Sequence, residues 1–367
     1  MSLLLMEGFE GMGTTTGAGG ASALQTKLRR VYRGRFESQG GSDSGYFLTN
    51  GETTGYALHI GSPAAFGNSQ HVDFWLPSNQ YAYTLVIGLR FRQRNSGSGN
   101  FPFITIMPEV DISENHLELQ FVNYTYFRLL RNATQIAISA TGLMTADDWY
   151  YVEFKFKIHQ STGLYDIKLD DTSVLSASGL DTQNNVNNEV NVIRVHGIVC
   201  DDPTNHPFII DDMYILNDQG VRLNDFLGKN TNVRIFYPDA DGSDIDFTPS
   251  IGTDHYALVD ETDPSASDYN QGVNNTDRDL YGLESISSGI FHAIMPEAIV
   301  QPSADGIRNM RHVTISGATT SNGATVPVVD NEDLTVVRRI QEDDPNTGNQ
   351  WTTTDLNNAE FGVEVQT

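Results

Sequence analysis

Residues 150–159 read Tyr-Tyr-Val-Glu-Phe-Lys-Phe-Lys-Ile-His, and this alternation constrains the fold more than any other feature of the chain. In an extended strand, successive side chains point to opposite faces. Tyr150, Val152, Phe154, Phe156 and Ile158 then share one face, and Glu153, Lys155, Lys157 and His159 share the other. A helix would scatter both sets. A sheet with one face in a core and one in water keeps them apart. The polar turn Gln160–Gly163 follows, then Leu164–Leu169 and the pair Asp170-Asp171, so the run forms one arm of a hairpin.

Helical periodicity is nearly absent elsewhere. Short apolar or alternating runs predict strands at Thr84–Phe91, Phe103–Met107, Leu117–Val122, Phe127–Arg131, Ile136–Ser139, Val190–Val199 and Phe208–Leu216. Turn residues recur roughly every 8–12 positions, the rhythm of a sandwich or barrel. Asn217–Gly220 closes this first region, so residues 1–220 are expected to form one domain. Residues 221–232 read as a connector, with one helical turn at Leu223–Leu227. Residues 233–367 read as a second β-rich domain. Its predicted strands are Val233–Tyr237, His255–Val259, Ile290–Val300, His312–Ser316, Thr325–Val329, Leu334–Arg339 and Phe361–Val365, and its acidic loops are Asp239–Asp246 and Asp260–Asp279.

Charge is uneven. The whole chain carries −25; residues 1–200 contribute −4 and residues 201–367 contribute −21. Such a surface repels phosphate backbones and argues against nucleic-acid partners. The basic exception is Lys27–Arg35, with five positive residues in nine positions. It reads as an exposed basic edge strand, or as a segment that meets an acidic neighbour. Met12–Ala23, rich in Gly and Thr, has little to bury and is expected to be held only by neighbours. Leu3-Leu4-Leu5 is too short for a signal-peptide core, and no apolar run approaches a membrane-spanning length. The single cysteine, Cys200, excludes an intrachain disulfide and lies in an apolar run as a small buried hydrophobe.

Trp149–Ile158, Gly163–Asp170 and Phe208–Ile215 resemble the closing strands of a concanavalin A-like (laminin-G-type) jelly roll. Met6-Glu-Gly-Phe-Glu and Arg33-Gly-Arg35 resemble the N-termini of bacteriophage proteins of this type. Tyr237–Gly242, Phe247–Ser250, His255–Glu261 and Trp351–Gly362 resemble their C-terminal ends. The resemblance implies an all-β chain, a concanavalin A-like sandwich followed by a second, smaller β-rich domain, serving as a structural part of a virion assembled in the host cytoplasm. The fold hosts lectins, hydrolases and purely structural modules, so it decides no activity by itself.

Two motifs carry candidate chemistry. Glu109-Val-Asp-Ile-Ser-Glu114 is similar to the E-x-D-x-x-E signature of laminarinase-type glycoside hydrolases. That resemblance implies Glu109 as nucleophile, Glu114 as acid/base and Asp111 as their electrostatic partner. The surroundings oppose it. Ser113 stands where the family has an apolar residue, Pro108 precedes, and the apolar runs on either side flank the motif like hairpin arms. With three tryptophans in the chain, a sugar-stacking cleft is also poorly supplied. Asp239-Ala-Asp-Gly-Ser-Asp-Ile-Asp246 resembles the start of a Ca²⁺ loop, but Ser250 stands where a bidentate Glu belongs. It reads first as an exposed hairpin tip and second as a Ca²⁺ site. Asp201-Asp202 and Asp211-Asp212 are similar acidic pairs; in the second, alternation sends one aspartate outward and leaves the other for a backbone or Arg donor. Tyr81, Tyr83, Tyr124, Tyr126 and Phe127 form an aromatic cluster that suits sugar stacking or, at alternating positions, the core.

The expected function is therefore that of a non-enzymatic virion subunit, tail-associated or capsid-decorating, acting through interfaces with its own copies and other virion proteins. No catalytic, cofactor-binding or metal residues are assigned. The alternatives are a virion-anchored module for host-surface glycan and, behind it, a hydrolase using Glu109, Asp111 and Glu114.

Overall fold

The computed structural model describes residues 2–9, 46–50, 56–60, 71–77, 80, 83–93, 98–108, 115–184, 187–197, 208–261, 267–303, 308–328 and 335–366. Outside these lie Met12–Ala23, Lys27–Arg35, Tyr81, the Glu109–Glu114 motif, Cys200 and Asp201-Asp202. The chain forms two compact units, Ser2–Val233 and Arg234–Thr367.

The N-terminal unit is built from β1 (Leu3–Glu7), β2 (Tyr46–Asn50), β3 (Tyr56–Ile60), β4 (His71–Trp75), β5 (Leu85–Gln93), β6 (Asn100–Met107), β7 (Leu117–Val122), β8 (Tyr126–Arg131), β9 (Thr134–Ile138), β10 (Trp149–Lys157), β11 (Gly163–Leu169), β12 (Thr172–Leu180), β13 (Val192–His196) and β14 (Phe208–Asn217). All described pairings are antiparallel. One sheet runs β12-β11-β10-β5-β14-β3-β2, with β1 also on β14; the other runs β4-β13-β6-β7-β8-β9. The two sheets meet face to face through aromatic rings. Phe91 and Phe208 of the larger sheet lie 5.0 and 5.5 Å from Phe103 of the smaller one, and Phe103 stacks on Phe121 at 4.5 Å. Each such ring, fully removed from water, contributes roughly 1.5–3 kcal/mol. The unit is thus a sandwich whose core is the inward set of each alternation. Tyr124 and Phe127 belong to that core, both fully buried.

The outer face of the larger sheet departs from expectation. Glu153 does not face water; it is 1% exposed. Tyr214, Gly88 and Glu153 are register partners in one row across β14, β5 and β10. A Cβ at Gly88 would sit 2.1 Å from the Tyr214 ring, so glycine there lets the ring lie across β5. The Tyr214 hydroxyl then donates to Glu153 Oε1 at 2.5 Å. The same oxygen accepts the backbone N–H groups of Leu227 and Gly228, each at 2.9 Å. These donors come from the stretch expected to be a connector. It lies instead along the sheet as a strap. Asp171 takes Lys229 N–H at 2.9 Å, Asp212 takes Val233 N–H at 2.8 Å, and Arg90 donates to the Lys229 carbonyl at 3.0 Å. Phe226 sits under the ammonium groups of Lys155 and Lys168. The expected helical turn at Leu223–Leu227 is absent, because Leu227 spends its N–H on Glu153 rather than on a preceding carbonyl. Asp211 and Asp212 are both buried; a bulge with Asp212 at φ 49° turns Asp212 toward Arg90 Nε, 3.0 Å away.

The C-terminal unit holds β15 (Pro238–Ile245), β16 (Thr248–Pro249), β17 (Asn270–Gln271), β18 (Arg278–Leu283), β19 (Glu297–Val300), β20 (Arg308–Ser316), β21 (Thr319–Asn322), β22 (Val326–Val328), β23 (Thr335–Arg338) and β24 (Glu360–Gln366). Its main sheet runs β15-β18-β24-β20-β21, with β22 also on β20; β16-β17 and β19-β23 are separate pairs. Trp351, Leu356, Phe361 and Ile286 form a core cluster beside the helix Thr353–Asn358, which opens with a Thr352–Asp355 capping box.

Several predicted strands are different structures. Val233–Tyr237 is irregular, and of Ile290–Val300 only Glu297–Val300 forms a strand, with Ile294 in an isolated bridge to Gln341. His255–Val259 holds a 3-10 turn at Tyr256–Leu258, because the Asp241 carboxylate captures the N–H groups of His255 and Tyr256 at 3.2 and 2.7 Å and bends the chain. Asp239–Asp246 is not a hairpin tip. Most of it is β15, an edge strand bulged along β18.

Candidate functional site

The outward face of the smaller sheet carries a continuous row of polar side chains. On β13, Ile193 and Val195 turn to the core, so Arg194 and His196 turn away from it. Register places Asp73 of β4 and Thr105 of β6 on either side of Arg194, with Glu118 of β7 next to Thr105. His71 stands opposite His196 in the neighbouring row.

Arg194 and Asp73 form a bidentate pair, Nε to Oδ1 and Nη2 to Oδ2, both at 2.7 Å. Both residues are buried, and planar guanidinium geometry suits this two-pronged bond. His196 Nε2 lies 2.7 Å from the Thr105 hydroxyl, and the His71 and His196 rings are 6.0 Å apart. The row continues through Glu118, which accepts from Gln120 and, at 3.3 Å, from Asn115. Gln120 in turn accepts from Arg128 Nε at 2.6 Å. Among the described residues, Trp75 Nε1 and His196 Nδ1 at this face are buried without a hydrogen-bond partner. Asp73, Arg194, Thr105, His196 and Gln120 are buried, so the groups this face presents are the half-buried Asn115, Glu118 and Arg128, with the Trp75 indole at its β4 end.

Burial holds His196 well below the usual histidine range, and the neighbouring His71 and Arg194 add to the effect. Burial also lowers His312 of the C-terminal unit, against carbonyl contacts to Val337 and Gly362 that act the other way. In both rings burial favours the neutral imidazole over the charged one. The unfolded chain takes up protons near its ordinary pKa of about 6.5 that the folded chain does not. Stability is expected to be complete above that pH and to fall as the medium is acidified through and below it. Urea midpoints measured across this range, with His196→Gln and His312→Gln flattening the slope, check this; an unchanged slope in both variants refutes it.

The remaining acids hold the fold. In the C-terminal unit Asp279, fully buried, accepts from Phe247 N–H at 2.9 Å and the Tyr281 hydroxyl at 3.0 Å, with His255 Nδ1 at 2.8 Å. Glu364 lies between Arg278 and Arg311 at 2.7 and 2.6 Å. In the stretch weighed as a Ca²⁺ loop, Asp241 caps the 3-10 turn and Asp244 pairs with Arg278 at 3.0 Å. Asp246 accepts Arg278 N–H at 3.2 Å. Among the described residues no group of three or more His, Cys, Asp or Glu side chains is placed to hold a metal ion. No helix among them is long and apolar enough to cross a membrane.

Glu109, Asp111 and Glu114 fall between the end of β6 at Met107 and the start of β7 at Leu117, whose arms pair from Ile106↔Leu117 onward. The motif lies between these two strands in the sequence and outside the described residues. The polar row built on Asp73, Arg194 and His196 was not among the sequence candidates. Its signal is the polar residue at every second position of His71-Val-Asp-Phe-Trp75 and Val192-Ile-Arg-Val-His196, inside runs otherwise apolar.

No protein-family model and no curated relative matches the chain. Among solved structures it is similar to an alginate lyase (13% identity, TM-score 0.37, 60% of this chain and 98% of that one). It is also similar to an alginate lyase from a Chlorella virus (6%, TM-score 0.37, 47% and 88%). A third is the Trypanosoma rangeli sialidase (12%, TM-score 0.33, 47% of this chain), of whose length the chain spans 27%.

Proposed function

We propose that this chain is a structural subunit of a bacteriophage particle, on the tail or decorating the head, that works by burying surface against its own copies and other virion proteins. The observation that carries this reading is how the buried carboxylates are used. Glu153, Asp212, Asp73, Asp279 and Glu364 each accept fixed donors from strands, a strap or arginines, so they build architecture and are not poised for reaction. The phage-like patterns at both ends of the sequence supply the particle.

The polar face around Asp73, Arg194, Gln120 and Arg128 favours one second reading, a glycan-binding module on the virion. One set of measurements separates the readings. Sedimentation velocity of the full chain is expected to give a discrete oligomer, and a polysaccharide panel is expected to show no cleavage. Glycan retention that is lost in Arg128→Ala supports the second reading. A monomer that cleaves a polysaccharide, and stops doing so as Glu109→Gln or Glu114→Gln, would falsify the structural reading.

A further inference from the structure

The C-terminal unit bears an apolar tongue with an acidic border. β16 and β17 pair at Thr248↔Gln271 and Pro249↔Asn270. Beyond that pair Ser250 N–H donates to the Tyr269 carbonyl at 2.8 Å and Tyr269 N–H donates to Ser250 Oγ at 3.0 Å. This clasp fixes Ile251 and Tyr269 at one end of the tongue, 67% and 47% exposed. Side chains of this size left in water are a sign of an interaction surface when they stand together.

The border is built from Asp260, Glu261 and Asp268. Their carboxylates crowd one another: partial desolvation, then Asp268 and Asp260, hold Glu261 above the usual carboxylate range. Asp268 Oδ1 is buried without a donor among the described residues. By contrast Asp241, Asp244, Asp246, Asp277, Asp279 and Glu364 of the same unit have donors. Positive charge brought to the border would relieve the crowding and supply the missing donor. Apolar side chains brought with it would cover Ile251 and Tyr269.

The sequence contains a segment of that chemistry. Lys27-Leu-Arg-Arg-Val-Tyr-Arg-Gly-Arg35 sets five cations among Leu28, Val31 and Tyr32, in a chain of net charge −25. Copies of so acidic a protein repel one another across most of their surface, so self-association needs a local contact of opposite signs. We propose that the basic segment Lys27–Arg35 of one copy docks on the Ile251–Tyr269 tongue and its Asp260, Glu261, Asp268 border in the next copy. The contact joins two different surfaces, so it closes reciprocally as a two-fold pair or continues from copy to copy as a ring or filament. It rests on the reading of the chain as a self-associating subunit and names the surfaces that would serve it.

Charge reversal tests the contact in the full chain. One variant carries Arg29→Glu, Arg30→Glu and Arg33→Glu; the other carries Glu261→Lys and Asp268→Lys. Each alone should associate about tenfold or more weakly than wild type by sedimentation velocity, with wild-type association falling as salt is raised. Their equimolar mixture should associate again, because each then meets an opposite charge on the other. Ile251→Ser, an exposed change that leaves the charges alone, should weaken association too, and circular dichroism checks that all three variants are folded. If wild type assembles and the folded variants assemble equally well, or the mixture does not recover, the docking proposal is wrong while self-association stands. A wild-type chain that stays monomeric at every salt concentration overturns the subunit reading itself, and the docking with it.

Discussion

Gly88→Val is expected to destabilise the N-terminal unit by more than about 3 kcal/mol, because the new side chain and the Tyr214 ring cannot occupy the same space. The Cβ alone would approach ring carbons to 2.1, 2.6 and 2.8 Å. The ring is 2% exposed and wedged between sheet and strap, so it cannot retreat without leaving Glu153 short of a donor in a buried site. The cost is therefore overpacking plus an under-satisfied acid. Tyr214→Phe separates the two. It keeps the ring, removes the hydroxyl, and leaves Glu153 the N–H groups of Leu227 and Gly228. It should cost about 1–3 kcal/mol. Urea unfolding followed by far-ultraviolet circular dichroism measures both. A Gly88→Val protein as stable as wild type would mean that the row Tyr214, Gly88, Glu153 does not organise the sheet.

The second large effect belongs to the pair at the opposite sheet. Asp73→Leu and Arg194→Met should each cost about 3–5 kcal/mol, since either change strands a buried charge. The double variant Asp73→Leu/Arg194→Met should cost far less than the sum of the two. A buried ion pair recovers in mutual attraction roughly what it lost in hydration, so replacing both partners by apolar groups is far milder than removing one. A double-mutant cycle in urea gives the coupling directly. Additive single effects would show that the 2.7 Å bonds between these residues contribute no coupling.

Periodicity made the sandwich legible before any coordinates. The runs containing Phe91, Phe103, Phe121, Phe154 and Phe208 each became strands, because period-two alternation of large apolar residues has few other uses. The strap was not legible. Its residues Gly220–Val233 are polar and aperiodic, and what orders them is an acid on β10 and another on β14, partners remote in sequence. Glu153 reads as an outward residue by alternation, and it is one; nothing local says that a strap and a tyrosine cover that face. His255–Val259 failed for a related reason. Its apolar residues suit a strand, but one Asp241 carboxylate takes the N–H groups of both His255 and Tyr256, which an extended chain would point to opposite sides. No periodicity marks β12, because Thr172–Leu180 is mostly small and polar; as an edge strand it has little to bury. In the polar row, Asp73 and Arg194 lie 121 positions apart, and only sheet order brings them side by side.

The strap also has a mechanical meaning. Tension applied to the chain from Arg234 onward reaches the first sandwich at Val233, whose N–H is tied to Asp212 on the central strand β14. Further anchors lie behind it at Lys229, Gly228 and Leu227, on Asp171 and Glu153. A pull must therefore strip these ties one after another before it can tug on the end of β14. The sandwich is gripped from the turn between β11 and β12, across β10, to β14, and β14 is shielded from being drawn out of its sheet by its own C-terminal end.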